Sequence, residues 1–299
     1  MAQLSKITDN GVRDEYPIFA KKEDMSRTDK NRRGKVSGRQ GGERKESYAR
    51  GNAPIRKKPV SKNPDEMRLN KYIANAGICS RRDADIYIAA GNVSVNGEPV
   101  TELGFKVKLT DEVRFDGKLI RPEKKEYVLL NKPKGFITTT RDERGRRTVM
   151  ELVSNASKSK LLPVGRLDRN TTGLLLFTND GDLAKKLTHP KHGVRKIYHV
   201  ELDKNLKQED LVKIQQGLTL DDGLIEVDEV SYIENAPKRE VGIRIHSGKN
   251  RIVRRIFEHL GYDVIKLDRV IFAGLTKKDL PRGHWRPLTQ QEVINLKMM

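Results

Sequence analysis

Residues 165–190 read GRLDRNTTGLLLFTNDGDLAKKLTHP, and the order of features in them decides the architecture of the chain. Gly165 to Gly173 form a polar, glycine-bounded loop that carries Arg166, Asp168 and Arg169. Residues 174–177 then make an apolar run short enough for a buried strand, and residues 183–187 carry helical spacing. Loops anchored on a rigid sheet are where reactive groups tend to be placed. An aspartate in such a loop, taken alone, is more often a turn or cap residue than a catalyst. The surrounding sequence has to decide the matter.

Outward from this loop, residues 127–130, 197–202, 241–245 and 264–267 are strand-like. Residues 208–216 and 251–260 have helical spacing, and Thr289-Gln290-Gln291-Glu292 has the form of a capping box before a last helix. Residues 125–299 are therefore expected to fold as an α+β domain on a mainly antiparallel sheet. No internal repeat, G-x-G-x-x-G run or phosphate-binding loop supports a nucleotide cofactor. His189, His192, His199, His246, His259 and His284 lack the two-histidine-plus-acid pattern of a metal helix. The expectation is no cofactor and no metal, with Trp285 a packing residue.

Toward the N-terminus, Leu69, Ile73 and Ala76 fall at helical spacing with Gly77 as a stop. Ser80-Arg81-Arg82-Asp83 has capping-box spacing for a second helix, on which Ile86 and Ala90 are expected to continue the buried face before Gly91. Val93 and Val95, the turn Asn96-Gly97 and Val100 predict a hairpin, and Asp116-Gly117 after Val113 and Phe115 predicts another strand pair. Residues 66–124 are thus expected to be a compact module of two helices and a hairpin. Arg68, Lys71, Arg81 and Arg82 cluster at its two helix starts, an arrangement suited to phosphate oxygens.

The chain has 60 Lys+Arg against 41 Asp+Glu, a formal net charge of +19, which attracts polyanions over about a Debye length. Residues 1–65 hold 17 of the bases and 9 of the acids with almost no apolar periodicity, and are expected to be a disordered basic arm. No apolar run is long enough to span a bilayer and no secretory leader is evident, so a cytoplasmic protein without membrane partners is expected. The single Cys79 has no internal disulfide partner.

Two resemblances sharpen this reading. LNKYIANAGICSRRDADIYIAAGNVSVNG, from Leu69 to Gly97, resembles the RNA-binding domain named after small-subunit ribosomal protein four. GRLDRNTTGLLLFTNDGDLAKKLTHP resembles the signature of the RsuA-type RNA pseudouridine synthases, and NKPKG from Asn131, KIYHVEL around Tyr198 and SGKNRIVRRIFEHLG from Ser247 match that family's other blocks in its order. The resemblance covers roughly residues 67 to 296. It implies isomerisation of a uridine in structured RNA, with Asp168 as nucleophile, Arg254 as the cation that keeps it charged, and Tyr198 against the uracil ring. It also gives Arg166 a wedge, base-stacking or phosphate role. Lys132 is expected to be structural or to contact phosphate, and Arg251 and Arg255 to face RNA or solvent.

The spelling of these blocks is most similar to members acting on large-subunit ribosomal RNA. Ribosomal RNA or a ribosomal assembly intermediate is therefore the expected partner, met by a monomer. Small-subunit RNA and transfer RNA stay open as targets. So do a non-catalytic RNA-binding protein that keeps the fold, and a nuclease or glycosidase. The last would call for a second carboxylate or a metal cluster, which the sequence does not display.

If the arm of residues 1–65 engages RNA electrostatically, deleting it should weaken RNA affinity at low salt and flatten the salt dependence. Filter binding across a salt series measures this, and unchanged low-salt affinity would refute a role for the arm.

Overall fold

The computed structural model describes residues 65–299, so the expected basic arm lies, apart from Asp65, outside the described residues. The first unit runs β1 (Glu66–Arg68), α1 (Leu69–Asn75), α2 (Arg81–Ala89), β2 (Val93–Val95), β3 (Glu98–Pro99), β4 (Lys106–Lys108), β5 (Val113–Phe115) and β6 (Lys118–Ile120). Ser80 caps α2 by accepting the Asp83 N–H at 3.2 Å. Asn96-Gly97 and Asp116-Gly117 all take positive φ, between 46° and 90°, the backbone twist that closes a two-residue hairpin.

One expectation for this unit is corrected. Ala84 and Ile88, rather than Ile86 and Ala90, form the buried stripe of α2, while Ile86 is 67% exposed. Both pairs have the four-residue helical step. The small Ala84 belongs to the stripe that joins Leu69, Tyr72 and Ile73 of α1 in one apolar cluster. The pairing of β1 with β4 was also not foreseen; it brings Met67 opposite Val107 and closes the module across 40 residues of sequence.

The second unit continues with β7 (Tyr127–Lys132), α3 (Val149–Leu152), β8 (Leu162–Pro163), β9 (Thr172–Thr178), α4 (Gly181–Thr188), β10 (Lys196–Leu202), α5 (Gln208–Gln216), β11 (Leu218–Leu220), β12 (Gly223–Ile225), β13 (Glu229–Tyr232), β14 (Glu240–Ile245), α6 (Ile252–His259), β15 (Val264–Phe272), β16 (Trp285–Pro287) and α7 (Gln290–Met298). Its large sheet has the order β13-β14-β10-β15-β9-β7-β16, with β8 also paired to β9. Every pairing in it is antiparallel except β15 with β9.

Apolar side chains are buried on both faces of this sheet. Val128, Leu130, Leu175 and Phe177 join α5 and α6 in one cluster, and their alternates Tyr127, Leu129, Leu174 and Leu176 join α4 and α7 in another. This two-sided burial is why β7 and β9 read as unbroken apolar runs instead of alternating ones. The two units touch where Lys71 pairs with Asp182 on α4 at 2.6 Å. Among the described residues no helix is long and apolar enough to cross a membrane.

The parallel pair fixes the centre of the molecule. It sets Thr172 opposite Asp268 and Gly173 opposite Arg269. Gly173 has φ +106°, and a Cβ there would lie 2.2 Å from the Arg269 carbonyl oxygen and 2.5 Å from its nitrogen. Backbone does not yield as a flexible side chain does, and the conformation itself is strained for any other residue. Gly173→Ala should therefore destabilise the protein by more than about 2 kcal/mol, read as a lowered denaturant midpoint; a midpoint at the wild-type value would contradict this account of the strand junction.

Candidate active site

The loop from Gly165 to Thr171 leaves β8 and enters β9 at the middle of the sheet, where its backbone is tied down from two sides. The Thr138 hydroxyl accepts the Leu167 N–H at 3.2 Å and donates to the Leu167 carbonyl at 2.8 Å. From the other side, Lys132 extends from the end of β7 with its side chain completely buried. Its ammonium donates to the carbonyls of Pro133, Asp168, Arg169 and Thr171 at 2.8–3.3 Å. The Gly135 N–H adds a bond to the Arg169 carbonyl at 2.9 Å. The Asp168 side chain is left projecting, 38% exposed.

Of the two roles expected for Lys132 this geometry shows the structural one and not the contact with phosphate, because a buried ammonium with four carbonyl partners has no face left for RNA. Burial lowers its pKa to about 8, with Asp168 opposing that shift. Two other expected RNA contacts are also engaged within the protein. Lys71 holds Asp182 across the two units, and Arg255 holds Asp222 with bonds of 2.7 and 3.0 Å. Arg68, Arg81, Arg82 and Arg166 are exposed.

The cation beside Asp168 is not the one expected. Arg251 Nη1 stands 3.8 Å from the Asp168 carboxylate, whereas Arg254 is buried and donates to the Val264 carbonyl at 2.7 Å. Arg251 is the N-cap of α6 in the left-handed conformation, φ 47°, and also bonds Glu258 at 2.9 Å. Arg254 follows within the first turn, on the face that packs inward. Burial depresses its pKa, Arg251 adds to the depression and Asp168 opposes it, so the carboxylate acts electrostatically on both arginines.

Asp168, Arg166, Arg251 and Tyr198 line one cleft of about 170 Å³, with Ile252, Val253 and Leu267 among its apolar walls. Tyr198 on β10 is 8% exposed and lies directly opposite Arg269 on β15, which in turn lies opposite Gly173 on β9. Groups separated by about a hundred residues thus form one row across three strands. A carboxylate, an aromatic face and apolar walls in a confined cleft suit a planar base held beside a nucleophile.

Three features escaped the sequence reading. Lys196, two residues before Tyr198, lines the same cleft and holds the carbonyls of His246 and Ser247 at 2.9 and 3.2 Å. Burial, then the nearby Arg269, lower its pKa to about 8. Arg269 itself is buried under the cleft. A second depression of about 670 Å³ adjoins the first at Arg166, Leu167 and Asp168 and is bordered by Arg141, Arg144 and Arg169. The sequence TTTRDERGRR at 138–147 was the available signal for that basic border. Trp285 is half-buried and donates to Asn155 at 3.3 Å. Among the described residues no group of three or more His, Cys, Asp or Glu side chains could hold a metal ion.

Comparison with known proteins shows what the chain is similar to. The family model described as RNA pseudouridylate synthase matches residues 126–259, and that of the S4 domain matches residues 67–113. The ribosomal large subunit pseudouridine synthase B of Bacillus subtilis (strain 168) is 40% identical over 235 residues, covering 78% of this chain and 96% of the relative. The dual-specificity RNA pseudouridine synthase RluF of Escherichia coli (strain K12) is 38% identical over 237 residues, covering 78% and 79%. A crystal structure of a pseudouridylate synthase superposes with a TM-score of 0.55 at 30% identity, covering 77% of this chain and 99% of that one.

The buried Lys132 and the half-buried Lys196 make the site sensitive to alkali. The ammonium shares three N–H donors among the four carbonyls that Lys132 gathers, and a neutral amine has only two. Activity should therefore fall along a limb with its midpoint near pH 8. The stability effect has the opposite sign. Both folded-state values lie below the ordinary 10.5, so between them the unfolded chain binds more protons, and raising the pH favours the fold as far as these groups are concerned. Activity and melting temperature measured together from pH 7 to 10 test this; a limb that tracks unfolding would contradict it.

Proposed function

The chain belongs to the RNA pseudouridylate synthase family, and from that membership we propose that it isomerises a uridine of large-subunit ribosomal RNA, with Asp168 as the nucleophile. The observation that carries the assignment of Asp168 is its place: it projects from a backbone-locked loop into a base-sized cleft shared with Tyr198 and Arg251. The relative named for the large ribosomal subunit, matched over 96% of its length, supports the choice of RNA.

The reaction exchanges one bond for another. The bond from the sugar C1′ to N1 of uracil breaks, the base turns within the cleft, a bond from C1′ to C5 forms, the C5 hydrogen leaves as a proton, and N1 takes up a proton in its place. The ionised Asp168 carboxylate is the group placed to attack the sugar or the ring as the first bond breaks. Arg251 stands 3.8 Å from that carboxylate, and the buried Arg254 is a second cation on which its charge acts. Apolar walls at Ile252, Val253 and Leu267 limit the access of water to the detached base.

A stacked uridine must first be extruded, at a cost of a few kcal/mol. Arg166 lines both the base cleft and the larger basic depression, which suits it to fill the gap left in the stack or to hold the adjoining phosphate. Arg141, Arg144 and Arg169 on the border of that depression are placed to meet the flanking backbone. The module of residues 66–124, with Arg68, Arg81 and Arg82 exposed, supplies a separate docking surface for the RNA fold.

Cells lacking the protein should lose one carbodiimide-dependent primer-extension stop in large-subunit ribosomal RNA. Wild type should restore it and Asp168→Asn should not. Persistence of every stop would refute the ribosomal target, and restoration by Asp168→Asn would refute the role of the carboxylate.

A further inference from the structure

Arg269 presents a buried charge with no carboxylate to meet it. It is 3% exposed, and its Nε donates to the Leu174 carbonyl at 2.8 Å. Its guanidinium lies 4.5 Å from the centre of the Phe272 ring, and Nη2 has no hydrogen-bond partner. None of the ion pairs among the described residues includes it, and its charged neighbour Lys196 repels it. Burying a cation without an anion is costly, so an arginine kept for stability alone would be expected to have a carboxylate beside it. The residue directly across the β10–β15 ladder is Tyr198, whose phenol is the electron-rich group that acts on its charge.

We propose that Arg269 is the positioning residue for Tyr198, fixing the phenol as a hydrogen-bond donor that points into the base cleft. A guanidinium has only donors, so toward Arg269 the phenol oxygen can only accept. The Tyr198 hydroxyl hydrogen is then free to turn toward whatever occupies the cleft. Lys196 cannot compete for it, because that ammonium is also donor-only and is engaged with the carbonyls of His246 and Ser247.

This arrangement suits the rearrangement itself, and to that extent the inference rests on the proposed function. Half a turn of uracil about the axis through N3 and C6 exchanges N1 with C5, and the same half turn exchanges the C2 and C4 carbonyls. A donor fixed in space that bonds one carbonyl before the turn therefore meets the other after it. Tyr198 needs no movement between the two halves of the reaction. When the C1′–N1 bond breaks with its electron pair left on the base, the charge that reaches the carbonyl oxygen faces an O–H backed by a guanidinium.

The test is a double-mutant cycle on the full chain, with single-turnover rates and RNA dissociation constants measured for Arg269→Met, Tyr198→Phe and the pair. Arg269→Met should slow the reaction by roughly 10- to 100-fold with RNA affinity unchanged. Combined with Tyr198→Phe it should add no further loss, because the hydroxyl through which it acts is already gone. Arg269→Lys, which keeps the charge without the planar fork, should recover part of the rate and carries the same cycle if Arg269→Met does not fold. A wild-type rate in Arg269→Met, or losses that multiply in the double variant, would overturn the inference. Wild-type protein that forms no pseudouridine on ribosomal RNA would instead overturn the functional reading.

Discussion

One buried ammonium organises the centre of this protein. Lys132 joins the end of β7 to three carbonyls of the loop that bears Asp168, and to Pro133 beside it. Hydrogen bonds from a charged donor contribute about 1.5–3 kcal/mol each, which offsets the several kcal/mol lost when the lysine leaves water. The outcome is specificity of shape more than net stability. A loop that would otherwise expose unpaired carbonyls is held in one conformation, with its carboxylate turned outward. Gly173 then lets β9 run against β15 at a distance no other residue permits, which brings Arg269, and through it Tyr198, into line with the loop.

The charge of the chain is less available for RNA than its total of +19 suggests. Lys71, Arg255, Lys277 and Arg282 are engaged by carboxylates, and Lys132, Lys196 and Arg254 by backbone carbonyls. Asp268 alone gathers Lys277, Arg282 and the Thr172 hydroxyl, and the two cations hold its pKa down to about 2 against the effect of burial. Among the exposed arginines of the described residues, one group stands at the helix starts of the first unit and another around the paired depressions at Asp168, with Arg121 and Arg195 outside both.

Much of this was legible in the sequence, and the failures have physical causes. Local signals worked: the turns at Asn96-Gly97 and Asp116-Gly117, the caps at Ser80 and Thr289, and the span of α5 appear where their spacing places them. Family motifs led to Asp168 and Tyr198, which share a cleft. Features created by long-range pairing were hidden. Nothing local in Glu66–Arg68 or Trp285–Pro287 marks a strand, since each becomes one only by pairing with a partner far along the chain. The motif gave the pairing to Arg254, whereas Arg251 stands 3.8 Å from the carboxylate, because which arginine reaches it depends on one left-handed residue at the start of α6. Arg269 lay inside an ordinary apolar strand, and only the sheet order shows it behind Tyr198.

The account makes one claim above the others: that the small cleft receives a single extruded uridine while the larger basic depression takes the strand beside it. A crystal structure of Asp168→Asn bound to a fragment of its ribosomal RNA tests this directly. The account predicts one uridine out of the stack, with its C1′ beside residue 168, its ring against Tyr198 and Leu267, and the neighbouring phosphates against Arg166 and Arg169. An RNA bound with every base stacked and the cleft empty, or with the extruded base lodged in the larger depression, would contradict it.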